Sequence, residues 1–166
     1  NAPGSVHIYQ KKGGVFPRPW PQPDVTELGS GSVVQGDGWE VRTAQAHHSQ
    51  PYLESLAYRL ETPEKTIVFS GDTTPCDSVA RLAAGADILV YNAHDLEDNI
   101  QGTPLEDFTS GTIGAARVAR DAGAKTLVLT HIGDAMDAPG VMEHELARAR
   151  QVFSGPIILA QDLMEI

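Results

Sequence analysis

Several short apolar runs in the chain end close to a polar or charged residue. One run covers residues 66–69 and precedes Asp72 by three positions, and another covers residues 127–129 and precedes His131 by two. Runs of this length, built from aliphatic and β-branched residues, are typical of strands buried on both faces. The pattern therefore predicts two buried strands, each with a polar side chain at its carboxyl end.

Apolar runs of strand length alternate with segments of helical periodicity from residue 66 onward. We predict strands at residues 66–70, 88–91, 126–130 and 157–160, and helices at residues 76–84, 110–122 and 141–153. Further strand-like stretches precede them, at residues 32–34, 39–46 and 56–60. The first two flank a turn at residues 36–38, which predicts antiparallel pairing. The alternation beyond residue 66 predicts an α/β fold with helices packed on a sheet.

Two adjacent histidines, His47 and His48, follow the strand-like stretch at residues 39–46. Together with Asp72 and His131 they offer imidazole and carboxylate ligands, the donors that a hydrolytic zinc site uses. Successive side chains of a strand point to opposite faces, so only one of the two histidines can face a metal. Other roles are open, because Asp72 could instead cap the following helix and either histidine could hydrogen-bond to a neighbour.

The charge and composition of the chain restrict its partners. The 166 residues carry a net charge of −10, with a pI near 4.9, which disfavours nucleic acid as a partner without ruling it out. The single cysteine, Cys76, forms no internal disulfide framework. No apolar run approaches the length of a membrane span, so we expect no membrane partner and a soluble, cytoplasmic protein.

The motifs around these candidate ligands resemble a known family. His48 is followed by Gln50 and Pro51, Asp72 lies in a Ser-Gly-Asp-Thr sequence, and His131 ends a Leu-Thr-His sequence. In order and spacing they resemble the last three ligand motifs of the metallo-β-lactamase superfamily, in its ribonuclease Z and arylsulfatase-like branch. The resemblance covers residues 37–166 and favours His48 over His47 as the ligand.

This resemblance implies an α/β fold that is the C-terminal half of an αββα sandwich, with a mixed sheet and helices packed on one face. Residues 1–36 are expected to form an irregular, proline-rich covering segment, and residues 37–166 the half domain. The His-x-His-x-Asp-His motif of the family's N-terminal half does not occur in the chain. We therefore expect the partner to be the missing N-terminal half or a second copy of the chain.

The resemblance also implies the chemistry. His48, Asp72 and His131 are expected to bind metal, with Asp72 bridging about two Zn²⁺ ions per complete site. Manganese and iron are alternatives. A metal-activated hydroxide would attack a small ester-like substrate, namely a carboxylic ester, lactone, sulfate ester or phosphodiester. Asp72 and His94, which lies in the polar turn after the strand at residues 88–91, are the candidate catalytic residues.

Two other hypotheses compete with this one. The chain could be a catalytically incomplete half-fold that serves as an assembly or binding module, because three ligands without their partners bind zinc poorly. It could also be a self-contained α/β domain that builds a site between two copies of itself.

Overall fold

The computed structural model describes residues 9–15 and 24–166 of the chain. The proline-rich stretch at residues 17–23, on which the prediction of a covering segment depends, lies outside the described residues. Among the described residues, none of the helices has the length and apolar character that crossing a lipid bilayer requires.

Seven strands form one mixed sheet in which each strand pairs with its neighbours in the sequence. Strands β1 to β4 pair antiparallel, and β4 to β7 pair parallel. The strands are β1 (Val33–Gly36), β2 (Trp39–Ala46), β3 (Ser55–Glu61), β4 (Thr66–Phe69), β5 (Ile88–Asn92), β6 (Thr126–Thr130) and β7 (Ile157–Leu159). Because β2 runs in the same direction as β4, β5 and β6, the carboxyl ends of all four strands lie at one edge of the sheet.

The helices lie in the crossovers between the parallel strands, as the right-handed β-α-β connection requires. In the described residues they are α1 (Asp77–Leu82), α2 (Glu97–Ile100), α3 (Thr112–Ala122) and α4 (Val141–Val152). Short 3₁₀ turns occupy Pro104–Asp107 and Asp134–Met136. Helix α3 ends at Gly123, whose φ of 63° provides the left-handed conformation that commonly ends a helix.

The core lies between the sheet and the helices. Val68, Leu89 and Leu127 stand side by side on β4, β5 and β6, and all three are fully buried. They belong to one apolar cluster with Val79 of α1 and Ala115 of α3. Helix α1 contacts β2 and β3, α3 contacts β5 and β6, and α4 packs on α3.

The opposite face of the sheet is apolar but only partly covered by the described residues. We define the open face as six side chains that share this side by strand register: Leu56, Tyr58, Leu60, Ile67, Phe69 and Val90. Tyr58 and Phe69 pair across β3 and β4, and each remains at least 40% exposed. Large adjacent apolar side chains rarely stay in solvent, so this face is suited to contact with another layer of protein.

The structure agrees with the predicted fold class. The mixed sheet and the helices packed on it are present, and the predicted strands lie within one or two residues of the observed ones. Two helices are shorter than predicted: α1 covers only Asp77–Leu82, and α3 begins at Thr112, after Gly111 in an extended conformation. Helix α2 was not predicted. Strand β1 lies at the end of residues 1–36, the segment expected to be irregular. Its pairing with β2 makes these last residues part of the sheet.

Replacing Leu89 with alanine should destabilise the fold strongly. Its side chain is fully buried at the centre of the sheet, and a Leu→Ala change at such a position costs about 2–5 kcal/mol of unfolding free energy. The measurement is urea denaturation, with Leu163→Ala as the control because Leu163 is fully exposed. Equal loss in both variants would contradict the proposed core.

Candidate metal site

Four candidate site residues lie just beyond strand ends at one edge of the sheet. His48 follows β2, Asp72 follows β4, His94 follows β5, and His131 directly follows β6. Ligands in open α/β sheets commonly bind at the carboxyl edge of the strands. The topology therefore brings the four residues to the edge where a ligand is expected.

Asp72 and His131 are in direct contact. Nδ1 of His131 lies 3.0 Å from Oδ1 of Asp72, and both side chains are nearly half exposed, at 47% and 46%. This contact brings an imidazole nitrogen and a carboxylate oxygen together, and both can bind a metal. The other ring nitrogen of His131, Nε2, and the second oxygen of Asp72 take no part in this contact. Two donors of the kind that zinc prefers are thus adjacent and accessible.

The backbone at these two positions is turned sharply. His131 has a φ of 55°, a left-handed conformation that is uncommon for a residue with a side chain. Gly71, which precedes Asp72, has a φ of 62°, a conformation that glycine adopts without steric cost. Strained conformations of residues other than glycine cluster at functional sites, where the surrounding structure holds them. The strain at His131 therefore supports a functional role for its ring.

The ring of His48 is held by a backbone carbonyl. Nδ1 of His48 lies 2.6 Å from the carbonyl oxygen of Phe108, and the two rings meet edge to face with centroids 6.4 Å apart. A carbonyl oxygen only accepts, so Nδ1 of His48 must carry the proton and donate it. This fixes the tautomer that leaves Nε2 unprotonated, as metal-binding histidines require. The neighbouring His47 is exposed, and its backbone rather than its ring makes the recorded contacts.

His94 lies against His131. The two rings stack with centroids 4.7 Å apart and planes inclined by 28°. Nδ1 of His94 is buried and has no hydrogen-bond partner among the described residues. Gly133 approaches so closely that a side chain there would meet the carbonyl oxygen and the ring of His94. The loops after β5 and β6 are therefore packed tightly around this ring.

The candidate ligands do not form a complete cluster among the described residues. Within residues 9–15 and 24–166, no three histidine, cysteine, aspartate or glutamate side chains come close enough to one another to hold an ion. Asp72 and His131 are paired, whereas His48 stands apart at the Phe108 carbonyl. The donor chemistry fits zinc, and the set needs further ligands to close around it.

Comparison with known families identifies the chain. A family model described as a beta-lactamase superfamily domain matches residues 3–132. The chain belongs to this superfamily. The match covers His48, Asp72, His94 and His131, so all four candidate site residues lie within the superfamily domain.

The ribonuclease Z branch is confirmed by sequence similarity. A protein named putative ribonuclease Z from Mycobacterium tuberculosis (strain CDC 1551 / Oshkosh) is 36% identical over 151 residues, which are 88% of this chain and 66% of that protein. The chain spans between 53% and 66% of the length of such curated relatives. Roughly a third to a half of each relative therefore has no counterpart in this sequence.

Solved structures share the fold. The metallo-beta-lactamase fold protein YhfI from Bacillus subtilis is 22% identical, has a TM-score of 0.67, and is matched over 81% of this chain and 52% of YhfI. Zn²⁺-bound PqqB from Methylobacterium extorquens is 16% identical, has a TM-score of 0.58, and is matched over 81% of this chain and 49% of PqqB. The predicted fold class, part of a metallo-β-lactamase fold, is confirmed by these matches.

Proposed function

We propose that the protein containing this chain is a metal-dependent hydrolase that cleaves an ester-type bond. The observation that carries the proposal is the contact between Asp72 and His131 at the strand ends of a superfamily domain. His48, Asp72 and His131 would hold the metal, and Asp72 would be the ligand shared by two ions. When bound, Zn²⁺ supplies Lewis acidity that activates water and stabilises negative charge developing on an ester oxygen.

His94 is the second candidate catalytic residue. Its Nδ1 is buried without an acceptor, which favours the neutral tautomer that carries its proton on Nε2. Nε2–H would then donate a hydrogen bond to the leaving oxygen and stabilise the negative charge that develops there. The stack on His131 supports this role because it keeps the two rings beside each other.

A phosphodiester is the first substrate to test. Relatives at 36% identity are named ribonuclease Z, and an RNA-cleaving enzyme acts on phosphodiesters. The net charge of −10 opposes the binding of a long phosphate backbone, which depends on lysine and arginine. The names of the relatives therefore favour RNA as a candidate substrate despite this charge, beside short phosphodiesters and carboxylic, lactone and sulfate esters.

The partner proposed for the open face is the missing N-terminal half of the superfamily domain. Two observations support it: the described residues leave Tyr58 and Phe69 exposed on that face, and the chain spans at most 66% of its curated relatives. That half would also bring the further metal ligands that the pair of Asp72 and His131 needs. A second copy of this chain is the alternative occupant.

Metal content and activity of the full-length protein test the proposal. We expect about two transition-metal ions per complete site, and hydrolysis of bis(p-nitrophenyl) phosphate that a chelator removes and added Zn²⁺ restores. p-Nitrophenyl acetate and a long RNA serve as comparison substrates. Full activity after complete removal of metal would refute the mechanism, and a protein that binds no metal would favour the hypothesis of an assembly module.

A further inference from the structure

We propose that Asn92 is a positioning residue, a buried amide that holds the loops of His48 and Asp72 in place relative to each other. The inference rests on the proposed function, because it concerns the same metal site. Asn92 is the last residue of β5 and is only 1% exposed. Its two side-chain hydrogen bonds go to Thr73 and Thr109 and not to the proposed ligands, so it acts through its neighbours.

The side-chain amide of Asn92 bridges two loops. Its Oδ1 accepts a hydrogen bond from the backbone N–H of Thr73 at 3.3 Å, and its Nδ2 donates to Oγ1 of Thr109 at 2.9 Å. Thr73 and Thr109 are themselves buried, with exposures of 0% and 5%. A buried amide keeps its partners because leaving them unpaired costs free energy. The bridge therefore fixes the distance between the two loops.

On one side the bridge leads to the backbone of the histidine loop. Thr73 follows Asp72 directly, and its Oγ1 accepts from the backbone N–H of His47 at 2.9 Å. The N–H of Thr74 donates to the carbonyl oxygen of His47 at 2.9 Å. The loop of Asp72 is thus bound to the backbone beside His48 by two hydrogen bonds.

On the other side the bridge leads to the ring of His48. Thr109 follows Phe108, and the Phe108 carbonyl accepts the proton of Nδ1 of His48 at 2.6 Å. The contacts form a closed circuit from Asn92 through Thr73 to the His47–His48 backbone, and from the His48 ring through Phe108 and Thr109 back to Asn92. The orientation of the His48 ring is therefore determined by a carbonyl whose position depends on the amide of Asn92.

This chain of contacts connects Asn92, at the end of β5, to the candidate ligands that follow β2 and β4. Partners that orient a metal-binding histidine typically change metal affinity by 10–100-fold when they are removed. Phe108 contacts the His48 ring through its backbone carbonyl, which no substitution can remove. Asn92 reaches that carbonyl only through Thr109. Substituting Thr109 or Asn92 is therefore the practical way to weaken the positioning of the Phe108 carbonyl.

Two isosteric variants of the full-length protein remove the bridge. Thr109→Val deletes the hydroxyl, and Asn92→Leu deletes the amide, while both keep the number of side-chain heavy atoms. Thr109→Ser restores the hydroxyl and should rescue. Thr103→Val is the matched control, because Thr103 is an exposed residue that caps the 3₁₀ turn at Pro104–Asp107.

The readout is the binding of Co²⁺ alone, followed by its visible absorption spectrum. We expect Thr109→Val and Asn92→Leu to weaken Co²⁺ affinity by about 10–100-fold and to alter the spectrum, while Thr109→Ser and Thr103→Val resemble the native protein. Native Co²⁺ affinity and spectrum in both bridge variants would overturn the inference. If the native protein itself bound no Co²⁺, the proposed function would fail instead, so the two failures are distinguishable.

A double-mutant cycle separates positioning from general damage to the fold. If Thr109 acts through His48, Thr109→Val should change Co²⁺ affinity little once His48 is already alanine, because the two residues then share one effect. A general loss of structure would instead add to the effect of His48→Ala. Additive losses in the cycle would overturn the inference even if Thr109→Val alone weakened binding.

Discussion

Replacing Asp72 with alanine will abolish metal-dependent hydrolysis by the full-length protein while leaving its fold nearly unchanged. Asp72 is the one residue of the chain proposed to bridge two ions, and its Oδ1 lies 3.0 Å from Nδ1 of His131. Removing partners that only orient a ligand already costs 10–100-fold, so losing the bridging ligand should lower activity more than about 100-fold. The measurement is kcat/KM for bis(p-nitrophenyl) phosphate, together with metal content.

The stability of the same variant should barely change. The Asp72 side chain is 46% exposed and lies beyond the end of β4, so it contributes little packing. Asp77→Ala is the matched control, since Asp77 is a nearby exposed aspartate whose recorded contact is an exposed ion pair with Arg81. Wild-type activity in Asp72→Ala would remove Asp72 from the mechanism, and equal losses in both variants would show that the effect is not specific to the site.

The second large effect concerns the open face. Expressed by itself, the chain should not remain a monomer of 17.8 kDa, because Tyr58 and Phe69 are adjacent large apolar side chains exposed on the open face, and large apolar patches are rare on monomeric proteins. Size-exclusion chromatography with light scattering measures the mass. Adding the proposed N-terminal half should convert the self-associated species into a defined complex.

A pair of variants locates the surface responsible. Phe69→Asp places a charge on the open face and should weaken self-association at least tenfold, because burying an unpaired carboxylate is costly. Val33→Asp is the control: Val33 is 53% exposed but belongs to the opposite face, opposite Arg42 in β2. A stable, monodisperse monomer of the unaltered chain would show that it closes its own core and would refute the proposed partner.

The sequence predicted the strands well because their signal is local. Apolar runs such as residues 66–69 and 127–129 need no knowledge of distant contacts, and a polar residue after each run identified Asp72 and His131. The parallel pairing of β4, β5 and β6 then brings these ends to one edge. Their contact follows from topology once the order of the strands is known.

The remaining features depend on contacts that leave little trace in the sequence. The carbonyl of Phe108 orients His48, and a backbone carbonyl is present at every residue, so no motif marks it. Helix α2 has four residues, too few to show a helical period. Asn92 could have been found, because it too is a polar residue that ends an apolar run. It is absent from the predicted ligands because a neutral amide is not a usual ligand of zinc.

The order of the strands has a consequence for how the site is assembled during synthesis. Each strand pairs only with strands adjacent in the sequence, so the sheet can grow by adding one strand at a time as the chain emerges. His48, Asp72, His94 and His131 follow β2, β4, β5 and β6 in that same order. Asp72 therefore precedes its histidine partner in the order of synthesis, and the pair of Asp72 and His131 can form only when β6 has joined the sheet.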